Sequence, residues 1–252
     1  MVHYPLFKNW LTKQIDLQTA FNSWRISMTI VAISQSNYLP WKGYFQLISS
    51  ADIFVFYDTV DFTKRDWRSR NKIIGPKGFQ WMTIPVGSNR GKSIDEVQLP
   101  MGEWRNNHLE TIRRNYAKAP FINDVLNIIT PAYHDHSIKT LSDFNQSLIQ
   151  RICEYLGIET VFRNSSEFHL KDDRVDRLIS ICEQLDATIY LSAPAAKEYI
   201  TNEFDHIDIG LQWMEYGPYE PYEQNVDSFS DYVSILDTIA ALGPGTRKNI
   251  LL

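Results

Sequence analysis

The chain has 252 residues, 44% hydrophobic and 22% charged, which is ordinary globular usage and excludes a disordered or fibrous protein. A formal net charge of −5 argues against a wholly basic nucleic-acid binder and still permits a local basic patch. The two cysteines, Cys153 and Cys182, each fall in helical apolar spacing and read as core thiols, which places the chain in the cytoplasm.

Residues 1–27 lack the uninterrupted apolar centre of a signal peptide, and no apolar run approaches the ~20 residues that span a bilayer. They read as an N-terminal extension to one α/β domain over residues 28–252, with no stable membrane insertion. The β-branched run at 29–34 predicts a buried strand, and Pro40 then fixes a turn before the helical spacing of Tyr44, Leu47 and Ile48. Residues 52–57 predict the next buried strand. Strand, loop, helix and strand within about 30 residues is a βαβ unit, so these two strands are expected to be parallel neighbours.

A cationic block follows, then GPKG as the turn of a hairpin whose arms are residues 71–74 and 80–86. The polar stretch 87–93 predicts a loop, and IDEVQLP a short alternating strand. Three helical patterns begin at Trp104, Ile122 and Thr140, the last capped by Gly157. Strand patterns return at TVFRNSS and ATIYLS on either side of an amphipathic helix, and a proline-containing loop and a helix follow the second. The end reads as a strand, a Tyr/Pro loop and a last helix. Together these predict an α/β, Rossmann-like fold: a mostly parallel sheet with flanking helices and a helical insertion.

Ligands of open α/β sheets gather beyond the carboxyl ends of the strands. Gln35, Asn37, Tyr38 and Lys42 follow the first strand, and Asp58 and Asp61 follow the second. Lys64, Arg65, Arg68, Arg70, Asn71 and Lys72 concentrate positive charge nearby, and arginine forks and lysine ammonium groups suit phosphate or carboxylate. These groups are expected to converge on one crevice, with Tyr38 facing Arg70 across it. The bland reading is a solvated basic edge strand, with Asn37 and Asp58 as turn residues. His108, one helical turn after Trp104, is a candidate proton acceptor beside Asp58, although a packed histidine is the simpler reading. HDH at 134–136 lacks a third ligand and reads as a polar loop, so no metal is expected. No dinucleotide, P-loop, nucleophile-elbow or zincin motif is present, and no cofactor is implied.

The stretch QSNYLPWKGYFQLISSADIFVFYDTVDFTKRDWRSRNKI, with WMTIPV, YLSAPAAKEYI and SILDTIAALG, resembles the WbqC-like protein family from about residue 28 to 243. The signature falls on Gln35, Tyr38, Leu39, Pro40, Trp41, Gly43, Tyr44, Asp58, Lys64, Arg65, Arg70, Asn71 and Lys72, with Ser36 where members often have proline. Members occur among genes for bacterial O-antigen and other surface polysaccharides. The resemblance implies a transferase that moves an aminoacyl or other acyl group from its donor to an amino sugar, on a nucleotide-activated or lipid-linked carrier. The layout is also similar to the start of class I nucleotidylyltransferase-like folds, without their paired histidine motif. The alternative is a noncatalytic protein that binds RNA or a partner through residues 64–72 and the aromatics Trp67 and Trp81.

Overall fold

The computed structural model describes residues 28–251 except Asn225 and Asp227. The expected extension 1–27 lies outside the described residues. β1 (Ile30–Ser34), β2 (Ile53–Phe56), β5 (Val161–Asn164), β6 (Ile189–Ser192) and β7 (Gly210–Trp213) form a parallel sheet in the order β5-β2-β1-β6-β7. β3 (Arg70–Gly75) and β4 (Gly78–Thr83) form a separate antiparallel hairpin. Its turn lies at the expected GPKG, but β4 starts two residues earlier than expected and ends at Thr83.

The strands are buried on both faces because their side chains alternate between two apolar layers. Ala32, Phe54, Phe56 and Leu191 face the larger layer, where α1 (Lys42–Ser49), α2 (Trp104–Asn115), α3 (Ile122–His134), α4 (Leu141–Leu156), α6 (Ile235–Leu242) and α7 (Thr246–Ile250) pack. Val31, Ile33, Val55 and Tyr190 face the smaller layer beneath α5 (Arg174–Gln184). Cys153 and Cys182 are both buried free thiols, one in each layer, and burial raises the pKa of each.

Two sequence expectations change. IDEVQLP opens as a 3-10 turn over Ile94–Glu96, because Ser93 and Glu96 close a reciprocal capping box. Ile94 and Val97 are then buried three residues apart, a spacing that alternation does not describe. The segment after β6 is likewise a 3-10 turn, Pro194–Glu198, rather than a longer helix. Gly157 caps α4 in the left-handed region, as expected.

The sheet order has one functional consequence. The chain leaves β1 for β2 on one side, whereas β6 lies on the other side of β1. The carboxyl ends of β1 and β6 therefore flank the topological switch point, where open α/β sheets leave a crevice.

Candidate functional site

The crevice between β1 and β6 is walled by aromatic rings. A cavity of about 440 Å³ is lined by Trp41, Pro194, Tyr216, Tyr219, Asp231 and Tyr232, among others. Trp41 stands at its centre, with ring centroids 5.0 Å from Tyr216, 6.3 Å from Tyr219 and 5.4 Å from Tyr232. A second recess of about 260 Å³ shares Trp41 and Tyr232 and continues toward Asn37, Pro40, Trp67 and Asn71. Such a cleft has flat apolar walls and a few convergent polar groups, the usual composition of a small-molecule site.

Helix α1 sets the position of these walls. Gly43 faces the Trp41 indole so closely that a Cβ there would overlap the ring. Lys42 and Gln46, one turn apart on α1, hold the loop that follows β7. The Lys42 amine lies 2.6 Å from Asp231 Oδ1 and over the rings of Tyr219, Tyr222 and Phe229 at 4.5, 5.2 and 5.4 Å. Gln46 Oε1 accepts from the Tyr219 hydroxyl at 2.5 Å and from the Gly217 amide at 3.2 Å. Lys42 is 1% exposed, so its charge acts through Asp231, which faces the cavity.

The turn that delivers Trp41 is held from the hairpin. Leu39 has φ 44°, which costs a side-chain-bearing residue energy unless its surroundings fix it. Asn71 Nδ2 donates to the Leu39 carbonyl at 2.7 Å, and the Tyr38 amide donates to the Trp67 carbonyl at 2.9 Å. The Ile235 amide donates to the Pro40 carbonyl at 2.8 Å, tying α6 to the same turn. Asn71 thus both lines the recess and supports its wall.

The other residues singled out from the sequence divide into groups. Asn37 lines the recess and accepts from Arg68 Nη1 at 3.3 Å, while Arg68 Nη2 lies 3.3 Å from Asp66. The Nε atoms of Arg68 and Arg70 are buried without a hydrogen-bond partner. Arg70 lies over the Trp81 ring at 4.2 Å. Lys64 and Arg65 are exposed in the turn before the hairpin, and Asp61 is exposed as well. The Gln35 carbonyl accepts from the Tyr44 hydroxyl at 2.9 Å, which fixes the start of the loop.

Asp58, Tyr38 and His108 lie deeper. Asp58 is 3% exposed and accepts from the Ser36 amide at 2.8 Å and the Ser142 hydroxyl at 2.5 Å, joining the ends of β1 and β2 to α4. Burial raises its pKa against these hydrogen bonds. Tyr38 has no exposed surface: its hydroxyl meets His108 Nδ1 at 2.8 Å and makes a short bond with the Tyr133 hydroxyl. It therefore points into the core rather than across the crevice at Arg70. Burial lowers the His108 pKa to about 4, opposed by a hydrogen bond to the Thr83 backbone. Asp58 and His108 are absent from the linings of both cavities.

Sequence reasoning did not single out Pro194, Tyr216, Tyr219, Asp231 or Tyr232 as site residues. The available signal was the aromatic density of the Tyr/Pro loop, YGPYEPYE, after a strand pattern.

The model of the WbqC-like protein family matches residues 35–249. The chain belongs to the WbqC-like family. A curated relative from Mycobacterium tuberculosis, named only as uncharacterized protein Rv1507c, is 39% identical over 220 residues, which is 86% of this chain and 95% of the relative. No solved structure matches the chain. The family match begins at the loop after β1 and ends in α7, so it encloses every residue of the aromatic cleft. Among the described residues, no helix is long and apolar enough to cross a membrane, and no cluster of three or more His, Cys, Asp or Glu side chains could hold a metal.

Proposed function

We propose that this WbqC-like chain is a transferase of bacterial surface-polysaccharide synthesis that moves an aminoacyl or other acyl group onto an amino sugar carried by a nucleotide or lipid phosphate. The carrying observation is the aromatic crevice at the β1/β6 switch point, beside Asn37 and the partly unpartnered guanidinium of Arg68. The C–H face of a sugar ring packs against Trp41 and Tyr216. Phosphate oxygens take the guanidinium donors of Arg68 and Arg70, with Lys64 and Arg65 adding charge at the entrance.

In this reading the acceptor amine attacks the acyl carbonyl, the bond from that carbon to the donor's leaving group breaks, and the amine proton passes to a carboxylate. Asp231 is the acidic side chain facing the cavity, and its Oδ1 lies 2.6 Å from the Lys42 amine. Asp58 and His108 then act by positioning: Asp58 fixes the loop at Ser36, and neutral His108 fixes Tyr38. The test is mass spectrometry of surface polysaccharide from cells with the wild-type gene, no gene, or Asp231→Asn. The reading expects one acyl substituent to vanish in the deletion and to fall sharply in the variant. Identical polysaccharide in all three would overturn it.

The noncatalytic alternative draws on the same basic segment and on Trp67 and Trp81. Stacking of RNA bases needs open ring faces, and Arg70 covers a face of Trp81. The observations therefore favour the transferase reading.

A further inference from the structure

We propose that the β3–β4 hairpin is a peripheral docking surface for an anionic lipid bilayer. Trp67, Phe79 and Trp81 are 43%, 50% and 43% exposed, an unusual concentration of large apolar rings at one surface. Phe79 and Trp81 are two residues apart on β4 and project from the same face, and the Trp67 and Trp81 centroids are 5.7 Å apart. The rings therefore form one patch. Residues 64–81 carry six Lys and Arg, with Asp66 as the sole acid, in a chain whose formal net charge is −5. Asp66 is already engaged by Arg68 and Thr63.

The arrangement of rings and cations decides what the patch fits. Lys72 lies 5.3 Å from the Trp81 centroid and 6.0 Å from that of Phe79, and Arg70 lies 4.2 Å from that of Trp81. Both cations lie over the faces of these rings. Aromatic rings flanked by lysine and arginine suit the headgroup region, where rings enter the interface and cations meet lipid phosphates. A nucleic-acid strand would instead need the Trp81 face that Arg70 occupies. The charge also matches the negative surface of an anionic bilayer and opposes the acidic balance of the rest of the molecule. Trp67 lines the recess that opens from the Trp41 crevice, so docking presents that recess to the headgroup layer. The docking inference rests on residues 64–81 alone and stands whether or not the chain is a transferase.

The test is co-sedimentation of the full chain with vesicles of phosphatidylcholine alone or with about 30 mol% phosphatidylglycerol, with tryptophan emission recorded in parallel. The inference expects binding only to the phosphatidylglycerol vesicles, a blue shift on binding, and release by high salt. Phe79→Ala/Trp81→Ala and Lys64→Glu/Lys77→Glu should each weaken binding about tenfold or more. Circular dichroism and melting curves show whether each variant stays folded, and the second pair changes exposed charges only. Absence of binding, or equal binding by folded variants, would overturn the inference. So would binding of single-stranded polyuridylate but not vesicles, or a dimer in sedimentation that Trp81→Ala dissolves. Vesicle binding seen only after removal of residues 1–27 would overturn it too, by making that segment the occupant of the patch.

Discussion

His108 shows why a residue type does not by itself assign a role. Its ring lies 5.4 Å from Trp104 and bonds to the buried Tyr38 hydroxyl, surroundings in which a charged imidazolium is poorly solvated. Its folded pKa of about 4 lies below the unfolded value of ~6.5, so on acidification the unfolded chain takes up the proton first. This contribution to stability is present above pH ~6.5 and is lost as pH falls toward 4, on the order of 2–3 kcal/mol. Asp58 has the opposite sign: its folded pKa is raised, so its protonation on acidification offsets part of the loss. Calorimetry at stepped pH should show the melting temperature falling between 6.5 and 4, with a flatter fall in His108→Gln. Tyr38→Phe removes the hydroxyl shared by His108 and Tyr133 and should cost about 1–3 kcal/mol in urea unfolding. Arg70→Ala, which uncovers an exposed indole, should cost no more than about 1 kcal/mol. Equal destabilisation by Tyr38→Phe and Arg70→Ala would contradict this division of the pair.

At the scale of elements, α1 does more than join β1 to β2. Through Gly43 it accommodates the Trp41 ring, and through Lys42 and Gln46 it holds the loop carrying Tyr216, Tyr219 and Asp231. Gly43→Ala should therefore displace the Trp41 indole, changing near-ultraviolet circular dichroism and abolishing ligand binding while the far-ultraviolet spectrum is kept. Unchanged ligand affinity in this variant would mean that Trp41 is not a wall of the site. The sequence made the local elements legible: apolar β-branched runs for β1 and β2, amphipathic spacing for α4 and α5, and a polar loop after β1. It also pointed to Asn37 and Asn71, both of which line the recess. It left β6 unplaced beside β1, because local periodicity does not encode which strand pairs with which across more than 150 residues. Convergence was accordingly expected between β1 and β2, where the structure instead puts the buried Asp58 bridge. Polarity alone also could not separate Asn71, whose amide supports the Leu39 turn, from a side chain free to hold a ligand.

For the whole molecule, the order β5-β2-β1-β6-β7 puts the crevice at the switch point, and the two apolar layers hold the sheet rigidly beneath it. The polar contacts of Lys42 and Gln46 bring α1 and the loop after β7 to its rim, while Asp58 ties α4 to the ends of β1 and β2. Site geometry then follows from fold topology. The central claim is that the crevice binds a phosphate-bearing amino sugar against Trp41. Saturation-transfer NMR with a panel of nucleotide-linked amino sugars, run on wild type and Trp41→Ala at matched folded concentration, tests this claim directly. The account predicts saturation of sugar-ring protons for at least one ligand in the wild type and its loss in Trp41→Ala. Binding of no ligand in the panel, or equal saturation in both proteins, would contradict it.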